Sequence, residues 1–325
     1  MAFPELVDGQ VLGRANGLNR ESFQRLARSL EQSIGDVAVV SPDRLRFLLL
    51  ALVCQGHVLL EDSQGVGKTL LAKTLAQSID GKFARVQCTP DLLPSDITGT
   101  SIFNMRDNQF EFRAGPVFSN MLLADEINRT GPRTQSALLE AMAEFQVTAD
   151  GDLRPLPTPF MVIATQNSTE SHGIYPLPDS QYDRFLMRMS LGLPSLDQEL
   201  EILSRSRHGM PRPQPVVTTT EVAEMQTYVL NVDVSQPVSE YVVRLARATR
   251  DHALLSNGVS PRGTVLLQRA SQGWAALEGR AYVVPEDVKR VAPLVLPHRI
   301  TVRGGGQVGA TDVINEVLDS VEVPV

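Results

Sequence analysis

Residues 57–76, HVLLEDSQGVGKTLLAKTLA, constrain this chain more than any other stretch. An apolar run, Val58-Leu59-Leu60, leads into a glycine-rich turn, and the residues from Lys68 onward have a helical pattern. A strand, a tight turn and a helix in that order bring backbone N–H groups and a helix N-terminus to one place, which is how a phosphate is held. Gly65, Val66, Gly67, Lys68, Thr69 and Leu70 are therefore the predicted nucleotide-binding residues. The glycines let the backbone approach the phosphates, Lys68 reaches the outer ones, and Thr69 offers its hydroxyl to Mg²⁺. The usual G-x-x-x-x-G-K-[ST] pattern wants glycine where this chain has Asp62. Aspartate is among the few residues that tolerate positive φ, so Asp62 is expected to serve the loop's backbone geometry and is counted with the site.

Further along, the apolar NMLLADEINR reads as a strand ending in Asp125-Glu126. An acidic residue there completes a magnesium site with Thr69, the role predicted for Asp125. A second carboxylate is more than metal holding needs, and Glu126 is placed to orient and deprotonate the attacking water. The strand FMVIATQN ends in Asn167, whose amide suits the attacking water or the γ-phosphate, although asparagine also simply caps elements. Arg184 in SQYDRFLMRM and Arg262 in SNGVSPRGTVLL each lie near an element boundary. A phosphoryl-transfer site needs such cations, in cis or from a neighbouring subunit, while a surface salt bridge is the plainer use of an arginine.

The rhythm of apolar strands alternating with helices continues through FARVQC, PRTQSALLEAMAE and FMVIATQN. It predicts an α/β domain, a parallel sheet covered on both faces. Two stretches interrupt it as β-hairpins: 97–113 around Asp107-Asn108, and 145–159 around Asp150-Gly151. From Pro194 onward every periodic segment reads as a helix. The expected organisation is an N-terminal helical segment (1–36), a nucleotide-binding domain (37–193) and an all-helical domain (194–325).

A formal charge of −7 gives no global basic footprint for nucleic acid or an anionic membrane. MAFPELVDGQ lacks the basic and apolar regions of a signal peptide, and the longest apolar run, Phe47 to Cys54, is far short of a span. A cytoplasmic protein without direct membrane insertion is expected. Cys54 and Cys88 have no metal-ligand spacing and read as small buried residues. His57 reads as a structural hydrogen-bonder, Trp274 as core, and the apolar stripe Val313, Ile314, Val317, Leu318 and Val321 as a packing face.

Taken together, GHVLLED…GVGKTLLAK, CTPDLLPSDITG, FEFRAGPVFSNMLLADEINR, PRTQSALLEAM, IATQN, YPLPDSQYDRFL, SPRGTVLL, GRAYVVPEDV and LPHRI resemble the MoxR-type AAA+ ATPases, of the helix-2-insert branch. They run in the family's order from about residue 37 to beyond 300. The resemblance implies an AAA+ αβα domain followed by a helical lid, binding ATP with Mg²⁺. It makes Asp125 and Glu126 the Walker B pair, Asn167 sensor 1, Arg262 sensor 2 in the lid, and Arg184 the arginine finger of the adjacent subunit. That implies a homo-oligomeric ring, a hexamer. The hairpins match the helix-2 and pre-sensor-1 inserts, which face the pore or partner surface in related ATPases. Arg129 and Arg133 lie in matching stretches without an assigned role. The chain departs from the family at Ser63-Gln64, where Val-Pro is expected, and at Ser168, where proline is usual; both bear on turnover more than on binding.

The implied activity is ATP-driven, chaperone-like remodelling or activation of client proteins, including von Willebrand A-domain proteins or metal-cofactor enzymes. Two alternatives stand beside it. One is a nucleotide-gated scaffold with little turnover, which would leave Glu126 without a use. The other is a nucleic-acid motor, since MCM helicases belong to the same branch; that would want basic pore hairpins. Here Asp150 and Asp152 face only Arg154 in one hairpin, while Arg106 and Arg113 are balanced by Asp107 and Glu111 in the other.

Overall fold

The computed structural model describes residues 18–62, 65–166, 174–209, 211, 213–304 and 308–324. Asn167 and Ser168, together with Ser63 and Gln64, lie outside the described residues.

Helix α1 (Arg20–Gly35) starts where the Asn19 side chain accepts a hydrogen bond from the Ser22 amide, and it buries Phe23, Leu26, Leu30 and Ile34 at helical spacing. Helix α2 (Pro42–Val53) has proline in its first turn, where a missing N–H costs nothing, and is almost wholly buried. The α/β unit then runs through β1 (Val58–Glu61), α3 (Lys68–Ser78), β2 (Phe83–Gln87) and a short helix α4 (Pro94–Thr98). The first hairpin, β3 (Gly99–Asn104) with β4 (Gln109–Ala114), precedes β5 (Met121–Asp125) and α5 (Pro132–Glu144). The second, β6 (Gln146–Ala149) with β7 (Asp152–Pro155), precedes β8 (Met161–Gln166), α6 (Asp179–Tyr182) and β9 (Met187–Met189).

Five strands form one parallel sheet in the order β2-β5-β8-β1-β9. Alternate residues feed opposite faces. Val58, Leu60, Met121, Leu123, Met161 and Ile163 pack toward α1, α2 and α3. Leu59, Leu122, Ala124, Val162 and Ala164 pack toward α5. Three-residue β9, too short for its periodicity to register in the sequence, is the edge strand beside β1.

The C-terminal part contains α7 (Leu196–His208), α8 (Thr219–Leu230), α9 (Gln236–Asp251), β10 (Leu255–Asn257), α10 (Pro261–Leu277), α11 (Pro285–Val295), β11 (Thr301–Val302) and α12 (Ala310–Ser320). The expectation of an all-helical unit is corrected by the antiparallel pair β10–β11, which joins the chain after α9 to the chain after α11 around buried Leu255. Helix α10 lies so close to α2 that a Cβ on Gly273 would collide with Cys54 and Leu50. One apolar cluster therefore runs from the sheet through α2 into α8–α12, including Val313, Ile314, Val317 and Leu318, with Trp274 buried in it.

No helix among the described residues is long and apolar enough to cross a membrane. Both cysteines are free and buried, and burial pushes each thiol up to about 12. His57 is buried, with Nε2 on the Met142 carbonyl (2.9 Å) and Nδ1 accepting from the Val162 amide (3.0 Å). Those partners fit the neutral Nε2–H tautomer, and burial draws the imidazole down to about 4.

Candidate nucleotide site

Strands β1, β2, β5 and β8 end side by side at their carboxyl edges, where ligands bind in open α/β sheets. A cleft of about 520 Å³ opens there. Gly65, Gly67, Lys68, Thr69 and Leu70 line one wall, and Asp125, Glu126 and Thr165 line another. Gly65 (φ 86°) and Gly67 (φ 90°) both take the left-handed conformation that favours glycine, and Gly67 caps the N-terminus of α3. Lys68 Nζ donates to the Asp62 carbonyl at 3.0 Å, which ties the lysine back across its own loop.

Asp62 corrects an expectation. It is not among the positive-φ residues, and its buried carboxylate does not line the cleft. Instead it accepts from Ser190 Oγ (2.6 Å) and from the amides of Leu191 (2.8 Å) and Gly192 (3.1 Å). The aspartate thus fastens the end of β1 to the chain leaving β9, a contact glycine could not make. Val66 lies on the loop but is not part of the cleft wall.

Asp125 ends β5 with both carboxylate oxygens occupied. Oδ1 accepts from Thr165 Oγ1 (2.9 Å), and Oδ2 accepts from Arg85 Nε (2.9 Å) and pairs with its Nη2 (2.7 Å). Glu126 is left-handed (φ 57°, ψ 51°), a conformation that costs a non-glycine residue about 1–2 kcal/mol. The Glu126 amide donates to Thr165 Oγ1 at 2.9 Å, and the carboxylate accepts from Gln87 Nε2 at 3.0 Å. Arg129 Nε lies 3.4 Å from the same carboxylate. The kink turns Glu126 out of the strand and onto the cleft wall.

Arg85, Gln87 and Thr165 were not candidates on sequence grounds, and all three line the cleft. Their signal was weak but present. Arg85 and Gln87 are polar residues two apart in FARVQC, so they share one face at the end of a strand paired in register with β5. Arg184 and Arg262 are not brought into the cleft of their own chain. Arg184, after α6, donates from Nη1 to the Leu139 carbonyl on α5 (2.8 Å), and Arg262 is the second residue of α10. Both are half-buried.

Residues 57–187 match the ATPase family associated with various cellular activities (AAA), and residues 247–317 match an AAA lid domain. Chaperone MoxR1 of Mycobacterium tuberculosis is 40% identical over 327 residues, 96% of this chain and 85% of the relative. Protein YeaC of Bacillus subtilis is 44% identical over 311 residues, 94% of this chain and 97% of its own. A crystal structure of a candidate ATPase from Cytophaga hutchinsonii superimposes with a TM-score of 0.89 at 36% identity, covering 94% of this chain and 97% of that one. With an AAA match over residues 57–187, an AAA lid match over residues 247–317 and MoxR relatives along almost its whole length, the chain belongs to the MoxR-type AAA+ ATPases.

Proposed function

We propose that this protein is a Mg²⁺-dependent ATP hydrolase that works as a homo-oligomeric ring, a hexamer, and uses turnover to remodel or activate partner proteins. The observation that carries the reading is the division of the predicted catalytic set. Lys68, Thr69, Asp125 and Glu126 share one cleft, while Arg184 sits outside it on a turn. Arg85 and Arg129 line the cleft but pair with Asp125 and Glu126, so in this reading the arginine finger comes from a neighbouring chain.

The donors present fit the ligand. The left-handed glycines and the N-terminus of α3 suit a polyphosphate, and Thr69 with Asp125 offers oxygens to a small hard cation. Bound Mg²⁺ would neutralise charge on the phosphate oxygens. Lys68 would hold the outer phosphates and Glu126 would orient the attacking water and accept its proton. Asn167 and Arg262 would contact the γ-phosphate. The chaperone name of the M. tuberculosis relative supports a protein client, and a von Willebrand A-domain protein or a metal-cofactor enzyme is the client proposed. The exposed apolar residues of the first hairpin, Phe103, Met105 and Phe110, support contact with protein. The second hairpin carries Asp150 and Asp152 against Arg154, which disfavours nucleic acid.

Steady-state ATPase activity measured across protein concentration tests this. Specific activity should rise with concentration, and Glu126→Gln and Arg184→Ala should each lower kcat on the order of a hundredfold or more. ATP binding without turnover at any concentration would overturn the hydrolase and leave a nucleotide-gated scaffold.

A further inference from the structure

Away from the cleft, the short turn after α11 delivers Arg299 into the boundary between the sheet domain and the lid. Its side chain is 1% exposed, and its Nε donates to Asp183 Oδ1 at 2.9 Å. The remaining guanidinium N–H groups reach the carbonyls of Leu186 (3.3 Å), Phe185 and Val295. The second oxygen of Asp183 accepts from Ser260 Oγ at 3.1 Å. Ser260 is the N-cap of α10, and its Oγ in turn accepts from the Gly263 amide at 3.1 Å. Helix α10 crosses directly over the arginine: a Cβ at Gly263 would lie 2.9 Å from Arg299 Cδ and 2.8 Å from Val259 Cγ1.

What this joint connects is specific. Asp183 is the residue before Arg184, and Ser260 is two residues before Arg262. Arg184 lies on a single turn, where its amide bonds to the Gln181 carbonyl and the Phe185 amide to that of Tyr182, and strand pairing resumes only beyond it. A buried ion pair used merely as a strut would serve anywhere along the domain boundary. This one joins the two elements that carry the arginines outside the cleft. Burial draws the Arg299 guanidinium down to about 10, with Asp183 opposing the shift, so the aspartate is the counter-charge that keeps the arginine in place.

We propose that Asp183 and Arg299 are positioning residues that lock the turn carrying Arg184 to the helix carrying Arg262. A lid movement sensed by Arg262 over its own nucleotide then shifts Arg184 toward the neighbouring subunit's site. The proposal rests on the reading that both arginines serve ATP hydrolysis. Two discrete arrangements of one rigid joint would suffice to couple adjacent sites.

The test is a double-mutant cycle on the full chain. It comprises Arg184→Ala, Asp183→Asn and Ser260→Ala, each combination with Arg184→Ala, and Arg299→Lys as the conservative variant. ATPase activity is read as kcat, KM for ATP and the Hill coefficient in ATP, with melting temperature and oligomer size alongside. Asp183→Asn and Ser260→Ala should each lower kcat by about tenfold, with KM within about threefold, and bring the Hill coefficient toward unity. Neither should lower kcat further once Arg184 is alanine. Arg299→Lys, which keeps the charge but loses the fork, should fall between Asp183→Asn and wild type. If Asp183→Asn does not fold, Ser260→Ala carries the cycle, because it leaves the Asp183–Arg299 pair intact. Losses that add to that of Arg184→Ala, or a lowered melting temperature with unchanged kcat, would overturn the joint while leaving the ATPase reading standing. An Arg184→Ala chain as active as wild type would overturn both.

Discussion

Among the aspartate–arginine pairs of the described residues, the one in the cleft and the one at the domain joint hold their arginines in opposite surroundings. In the cleft, Arg85 holds Asp125 at 2.7 Å with the arginine side chain 48% exposed. At the domain joint, Arg299 holds Asp183 at 2.9 Å with the arginine side chain 1% exposed. Exposed pairs are worth about 0–1 kcal/mol; here only the arginine end is open to water, the Asp125 side chain being 11% exposed against 22% for Asp183, so the two pairs differ in their arginines. Removing one partner of a buried pair costs about 3–5 kcal/mol, because the other charge is stranded. Asp125 can therefore be redirected to another cation at little expense, whereas Asp183 is committed. The end of the molecule that would meet the nucleotide is held by interchangeable contacts, and the part that would transmit its state is held by a permanent one.

Arg299→Met removes the buried arginine of the joint. It should destabilise the protein by about 3–5 kcal/mol in denaturant unfolding, through the stranded Asp183 carboxylate and three carbonyls that each lose one donor. Adding Asp183→Asn should recover part of the loss by removing the unpaired charge. A loss below about 1 kcal/mol would place the joint in the same class as the cleft.

Acid sharpens the contrast from another direction, because the buried histidines lie under the sheet and at the joint. His57 has its ordinary value of 6.5 drawn down to about 4, and His298, beside Arg299 and bonded to the Phe185 carbonyl, is drawn down in the same direction by burial and by that arginine. Between pH 6.5 and 4 the unfolded chain binds more protons at His57 than the folded one, so stability falls as pH falls through that window. The loss from His57 approaches about 3 kcal/mol at the acid end. Physically, a second proton on His57 would point Nδ1–H at the Val162 amide that now donates to it. Urea midpoints measured from pH 7.5 to 4.5 should decline for wild type and decline less for His57→Gln. A flat wild-type profile would refute the assignment.

How far these features were legible depended on the range of the contacts. The loop at 65–70, the buried strands and the two hairpins are local patterns, and sequence periodicity sees them. Glu126 was nominated from its place after Asp125, but its left-handed backbone was not visible in advance. Asp62 was misread because its partners Ser190, Leu191 and Gly192 are about 130 residues away, where no spacing rule reaches. Arg85 and Gln87 needed the register of β2 against β5, which exists only once the sheet is assembled. Arg299 stood inside LPHRI as one more basic residue; its burial follows from α10 crossing above it at Gly263. Strand β9 and the β10–β11 pair are too short for alternation to register.

The smallest expected effect is also the cleanest probe of the cleft. Arg85→Ala should change unfolding stability by no more than about 1 kcal/mol, since half of the side chain is already in water. Its consequence should appear in metal dependence instead. Arg85 is a cation held against Asp125 Oδ2, one of the oxygens proposed for Mg²⁺, so removing it removes a competitor. The Mg²⁺ concentration needed for half-maximal ATP binding, followed by calorimetry, should fall severalfold, with Thr165 still holding Oδ1 and the orientation of the carboxylate. A rise would mean that Arg85 aims Asp125 rather than competing for it. A stability loss above about 2 kcal/mol would mean that the cleft pair is structural after all, and the division between a redirectable pair and a committed one would dissolve.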